Sequence, residues 1–322
     1  VTINVYKSSD ASAPVLNNVA GSLIAVLDAC LVSGYGAKAA AGWTKPFFLS
    51  TTGAVYRQGT GSNGFYLNID DTQPNCARAR GFEVATAYNT GTGLFPTDAL
   101  QAGGAYFHKT NNVAGSQTWV VVATTKMLYF FTSYDANPTH VNGSWFLFGD
   151  FLTEKPGDTF NTLLMGATGV SQTTTASNAP STTAAPYYSF VSHTLPGHWL
   201  PRTYTGLGSC VAASKHINFS RLGYSTNGTW LNSYAYTNGN SDLNSGLIYP
   251  SPASGGMYLS PIWAHEPLVV RGRLPGIYVL QTFSTKPAQL DTYTGTGDMV
   301  GKTFICVNIW GSQFHIETSD TW

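Results

Sequence analysis

Short strand-like segments, each closed by a cluster of turn-forming residues, recur along almost the whole chain, and only one stretch breaks the pattern with helical spacing. Ala54–Gln58, Phe65–Ile69, Gly81–Ala87, Ala105–Lys109, Trp119–Thr124, Met127–Thr132 and Trp145–Phe148 alternate with Gly59–Gly64, Asp70–Asn75, Asn89–Gly93, Asn111–Gly115 and Asp135–Gly143. The second set is heavy in Gly, Asn, Asp and Pro, the residues that close tight turns. Short strands at this spacing predict an antiparallel meander, because parallel pairing needs a long crossover, usually a helix, between strands. A strand-like start at Thr2–Tyr6 precedes the exception, Asn17–Tyr35, where Val19, Leu23, Val26, Leu27, Cys30 and Leu31 recur at steps of three and four. That stripe predicts a helix lying on a sheet, with Gly34 or Gly36 as its left-handed stop.

Past Phe160–Met165, which reads as a buried strand, the run Gly166–Pro186 (GATGVSQTTTASNAPSTTAAP) is almost uncharged and has no apolar periodicity. It is a linker or an arm able to add to a neighbour's sheet edge. Strand-like segments resume at Tyr187–Thr194, His198–Tyr204, Gly246–Pro250, Gly256–Ile262, Leu268–Arg273, Ile277–Thr282, Lys302–Trp310 and Gln313–Glu317, the last two forming a hairpin across Trp310-Gly311-Ser312. Asn218–Asn244, polar and aromatic, has no clear assignment. No repeat of 20–50 residues is present. The expected class is mainly β, with antiparallel, β-sandwich-like sheets and one N-terminal α-helix, α+β in the first half. Three parts are expected: a helix-braced β domain at 1–165, the linker or arm at 166–186 and a β-rich C-terminal domain at 187–322.

Charge limits the partners. Sixteen Lys and Arg balance sixteen Asp and Glu, and charged residues make up 10% of the 322, against about 25% in an ordinary domain. Binding to nucleic acid or attachment to an acidic membrane needs a basic surplus, so neither is expected. Val1–Ser9 has no signal-peptide pattern and no apolar stretch has membrane-spanning length, which predicts a soluble chain with no membrane insertion. Cys30, Cys76, Cys210 and Cys306 lie far apart and form no C-x-x-C, and are read as free thiols of a reducing compartment.

Motifs for catalysis are sparse. Gly59-Thr60-Gly61-Ser62-Asn63-Gly64 matches G-x-G-x-x-G in letters, but strand-like segments flank it on both sides, so it reads as a hairpin loop. His193 and His198 are separated by Pro196-Gly197 with no third ligand at a metal-binding interval. His265-Glu266 reads as a turn pair before Pro267. Asp70-Asp71 and Asp150/Glu154 are the only carboxylate pairings suggestive of glycoside hydrolysis, and turn or cap roles account for all four. Tyr129, Phe130, Phe131, Tyr134, Trp145, Phe146 and Phe148 suit a core or a subunit contact better than a sugar-stacking face. The sequons at Asn142, Asn218 and Asn227 are read as chance. Catalytic residues, cofactors and metal ligands are therefore all expected to be absent.

Several blocks resemble uncharacterised virion structural proteins of tailed bacteriophages. They are Ser8–Phe47, Ala54–Asp71, Arg78–Ala85 (RARGFEVA), Gly91–Thr97 (GTGLFPT), Val270–Tyr278 (VRGRLPGIY) and Gly301–Trp322. The resemblance implies a context, a phage particle, and carries over no active site and no mechanism. It implies partners among copies of the chain itself and other virion proteins of the tail, baseplate, neck or capsid. It also implies localisation in the virion after assembly in the bacterial host cytoplasm. The composition agrees: subunits of symmetric assemblies bury surfaces depleted in charge. The expected role is a non-enzymatic component of the tail or tail-tip and baseplate. The alternatives are a head or neck decoration protein and a module binding host-surface saccharide, for which Trp230, Tyr234 and Tyr236 are the stacking candidates. A virion-associated glycan hydrolase is the weakest rival.

Overall fold

The structure is a computed structural model of the chain and describes residues 2–110, 115–133, 143–166, 198–208, 218–219, 258–266, 269–282, 287–309, 312–319 and 322. In chain order the first half contributes β1 (Asn4–Lys7), helix α1 (Ser22–Leu27), β2 (Thr44–Leu49), β3 (Gly53–Arg57), β4 (Tyr66–Asp70), β5 (Cys76–Phe82), β6 (Val84–Ala87), β7 (Thr90–Thr92), β8 (Ala105–His108), β9 (Thr118–Ala123), β10 (Met127–Ser133), β11 (Gly143–Asp150), β12 (Leu152–Thr153) and β13 (Thr162–Gly166). The second half adds β14 (His198–Trp199), β15 (Asn218–Phe219), β16 (Tyr258–Glu266), β17 (Val269–Thr282), β18 (Thr292–Thr294), β19 (Thr303–Ile309) and β20 (Ser312–Glu317). Among the described residues the fold is mainly antiparallel β with a single short α-helix.

Three sheets form the layers. The front sheet has the order β2-β3-β4-β5-β8, the central sheet β1-β9-β10-β11-β13-β14, and the back sheet β15-β16-β17-β20-β19-β18, with β12 joined to β17. The β6–β7 ribbon packs Ala85 with Phe82 of β5 and Val55 of β3 in a small third core. The central strands explain the layering, since TWVVVA, MLYFFTS and SWFLFGD are apolar at successive positions and have no polar face to give to water. Alternate residues therefore enter two different cores. Trp119, Val121, Leu128, Phe130, Phe146 and Phe148 meet the front sheet and the helix. Val120, Val122, Tyr129, Phe131, Trp145 and Leu147 meet Ile262, Leu274, Ile277, Ile305, Phe314 and Ile316 of the back sheet. Register agrees, with Phe130 opposite both Val121 and Phe146, and Tyr129 opposite Val122 and Leu147. Tyr129, fully buried, donates its hydroxyl to the Pro275 carbonyl at 2.7 Å, so the one polar atom it carries into the second core is satisfied.

The expected aromatic core is thus present at Tyr129, Phe130, Phe131, Trp145, Phe146 and Phe148, all buried, while Tyr134 lies outside the described residues. The helix is shorter than its apolar periodicity suggests. Regular α-helix covers Ser22–Leu27 and passes into a π-helical turn at Asp28–Ser33, ended by Gly34 at φ 75°. A side chain there would strike the Lys38 carbonyl, which is why glycine stands at this stop. Leu23, Val26, Leu27, Cys30 and Leu31 are buried as the stripe requires, but Val19 lies ahead of the helix and is 58% exposed. Gly59–Gly64 is a hairpin loop between the paired strands β3 and β4, and β19 and β20 form the expected terminal hairpin. Beyond Gly166 the Ser/Thr/Ala-rich run lies outside the described residues, as do Tyr187–Thr194 and Gly246–Pro250; Trp199, past the run, pairs with Leu164 of the central sheet. No helix among the described residues is long and apolar enough to cross a membrane.

Candidate functional site

The chemistry-bearing side chains gather at the seams between layers. The largest group centres on Arg271, which β17 carries into the interior with no exposed surface. Its Nε and one terminal nitrogen grip Asp158 at 2.8 and 2.6 Å. That nitrogen also reaches the Phe160 carbonyl at 3.0 Å, and the other donates to Glu266 at 3.0 Å and to the Arg202 carbonyl at 2.9 Å. A guanidinium has five N–H donors in a fixed plane, and here each has an acceptor. Asp158 and Phe160 come from the loop before β13, Glu266 from the end of β16, so the clamp ties the two halves of the chain. Arg202 extends it, pairing Glu83 at 2.6 and 2.8 Å while its guanidinium lies 4.9 Å over the Phe160 ring.

A second group surrounds Asp150 at the end of β11. It accepts from the Gln58 amide at 2.9 Å, the Thr162 hydroxyl at 2.6 Å and the Asn63 backbone at 2.7 Å, while Asn63 also donates to Asn161 and Thr162. Burial pushes the Asp150 carboxyl upward against these donors. The network pins the Gly59–Gly64 loop to the central sheet, which is the physical use of that glycine-rich stretch.

The third group is Lys109 and Asp71, in contact at one end of the front sheet and both fully buried. Burial raises Asp71 to about 6, opposed by Lys109 and by the Leu23 amide, and burial lowers Lys109. The fourth is His315 on β20, whose Nδ1 meets the Tyr293 hydroxyl at 2.6 Å while Nε2 is buried with no partner. Burial pushes His315 down to about 4.

Asp70 and Asp71 point to different tasks. Asp70 closes a turn through the Thr72 backbone and hydroxyl, and Asp71 accepts the Leu23 amide at 2.8 Å at the start of the helix. Asp150 is held in its network, whereas Glu154 is exposed and uses its amide on the Arg271 carbonyl. His265-Glu266 differs from expectation: it ends strand β16 in place of forming a turn, and Glu266 is an ion-pair partner of Arg271. His198 lies in β14, and His193 lies outside the described residues with Trp230, Tyr234 and Tyr236. Cys30, Cys76 and Cys306 are unbridged and buried, and Cys210 is outside the described residues. No cluster of three or more metal-ligating side chains occurs among the described residues. Sequence reasoning passed over Arg271, Asp158, Lys109 and His315. The signal for Arg271 was a charge set in an apolar strand, Val269-Val270-Arg271, and for His315 its alternation with Phe314 and Ile316.

No protein-family model matches the chain, and no curated protein matches it.

Proposed function

We propose that the chain is a structural component of a tailed-phage virion, placed in the tail or tail-tip and baseplate, and that it acts by packing against copies of itself and neighbouring virion proteins, with no catalytic step. The observation that carries this reading is where the few charges go. Of sixteen basic and sixteen acidic residues, seven are buried among the described residues alone, several of them tied in the seams above. Few charges are left for the outer surface, on which Phe48, Leu207 and Val300 stand 64, 70 and 74% exposed. A charge-poor surface at zero net charge favours self-association, a liability for a lone monomer and an asset for an assembling subunit. Of the carboxylates that would serve a glycan hydrolase, Asp70, Asp71 and Asp150 are committed to a turn, a helix start and an inter-strand network, and the described strand aromatics that would stack on sugar are inside the cores.

The test is the composition of finished particles. Mass spectrometry of gradient-purified virions should find the chain, and antibodies against it, seen by electron microscopy, should label the tail end. Labelling over the head would move the reading to a decoration protein, and absence from finished particles would overturn it.

A further inference from the structure

We propose that Lys109 and Asp71 become joined by an intramolecular isopeptide bond between Lys109 Nζ and Asp71 Cγ. This inference stands apart from the virion reading and rests on the geometry of the pair. Asp71 follows β4 and Lys109 follows β8, two strands of the front sheet separated by β5, and the Lys109 amide donates to the Asn75 carbonyl at 2.9 Å, which fixes the end of β8 beside the start of β5. Neither side chain has any exposed surface, and Nζ touches Oδ1.

The hydrogen bonds around the pair suit the amide better than the ions. An ammonium carries three protons, and here two acceptors serve it, Asp71 itself and the Val19 carbonyl at 2.8 Å. The other carboxylate oxygen accepts the Leu23 amide at 2.8 Å. An isopeptide bond has one N–H and one carbonyl, and the site offers an outside acceptor, the Val19 carbonyl, and outside donors at the helix start, the Leu23 and Ile24 amides. The Val19 acceptor and the Leu23 donor survive condensation unchanged. Two buried charges are replaced by one neutral amide, which removes the desolvation cost that a buried ion pair carries.

The reaction balances without a co-reactant. The ammonium passes one proton to the carboxylate, giving a free amine against a carboxylic acid; burial favours both neutral forms, raising the acid and lowering the amine. The Nζ lone pair forms the bond to Cγ while the Leu23 N–H polarises the carbonyl oxygen. The Cγ–hydroxyl bond breaks, and a second Nζ proton leaves with the hydroxyl as water. Fixed contact between the reacting groups supplies effective molarities on the order of 10⁵ M or more, and the absence of bulk water at the site opposes hydrolysis.

Intact-mass measurement on the folded, purified full chain, denatured only for the spectrometer, decides the matter. The expected chain is one water lighter than its sequence, and proteolysis yields a branched peptide linking residues 71 and 109. Asp71→Asn should lose one ammonia in place of water, and Lys109→Met should keep its full sequence mass. A wild-type chain at full sequence mass after prolonged incubation overturns the proposal, as does a water loss that maps to any other position. The wild-type measurement needs no variant to fold.

Discussion

Arg271 shows what a single residue does in this fold. Its five donors are matched by two carboxylates and two carbonyls, all in the interior, so the guanidinium is stable there only while its partners remain. Removing one partner leaves a buried charge short of compensation, and Asp158→Ala should cost about 3–5 kcal/mol in denaturant unfolding. Lys45→Ala, which breaks the half-exposed pair with Asp28, should cost about 0.2–1 kcal/mol. Similar losses for the two would contradict the clamp. His315 makes a pH-dependent prediction. Its folded-state pKa of about 4 lies below the ordinary value of 6.5, so the unfolded chain binds the proton first as pH falls. The neutral-histidine contribution is present in full above pH 6.5, declines toward pH 4, and amounts to ~3 kcal/mol over that interval. His315→Gln, which keeps an acceptor for Tyr293, should remove this slope, so the wild type should lose stability relative to the variant as pH falls below 6.5; a constant difference would rule the buried neutral imidazole out. At this scale the sequence was legible for apolar and aromatic residues, whose burial follows from type. It was not legible for Arg271, Lys109 or His315, since their partners lie 113, 38 and 22 residues away.

Elements were legible where local chemistry decided them. The periodic stripe and Gly34 located the helix, but its start is set by Asp71, 48 residues from Leu23, which the stripe does not report. That is why Val19 was read into a helix it precedes. Leu27→Ala should therefore cost about 2–5 kcal/mol by opening a cavity in the first core, and Val19→Ala should stay within about 0.5 kcal/mol; equal effects in chemical denaturation would restore the longer helix. Strand β2 went unread because TKPFFL lacks alternation and contains Pro46, which cannot donate to a ladder. The structure resolves this by placing β2 at a sheet edge, with an irregular register between Thr44 and Phe47 around the proline. Strand β17 went the other way. Leu274-Pro275-Gly276 reads as a break, yet the strand continues through it, with Gly276 at φ 62°, and changes partner on one edge: Gly272 and Arg273 pair with β12 and Ile277–Val279 with β20, while β16 stays beside it on the other edge. The break in the sequence is a bend in the sheet.

At the scale of the molecule, the antiparallel β class followed from turn spacing and composition, but the order of the layers did not. Runs such as TWVVVA state that a strand is buried on both faces and leave open what covers each. The central sheet answers by taking its neighbours from distant places, β1 beside β9 and β14 beside β13. The result places most of the strand aromatics and seven charged residues inside among the described residues, and leaves apolar side chains exposed at the front-sheet edge, Phe48 and Leu49 of β2, and at Val300 after the turn Gly297–Met299. On the reading proposed above, neighbours in the particle cover such surfaces. Hydrogen exchange followed by mass spectrometry, on the free chain and on assembled particles, tests this directly. Strands β9, β10 and β11 should exchange slowly in both, while β2 and the Gly297–Val300 turn should exchange fast in the free chain and slow markedly in the particle. Equal exchange at those surfaces in the two states would contradict the claim that the chain is a building block covered by its neighbours.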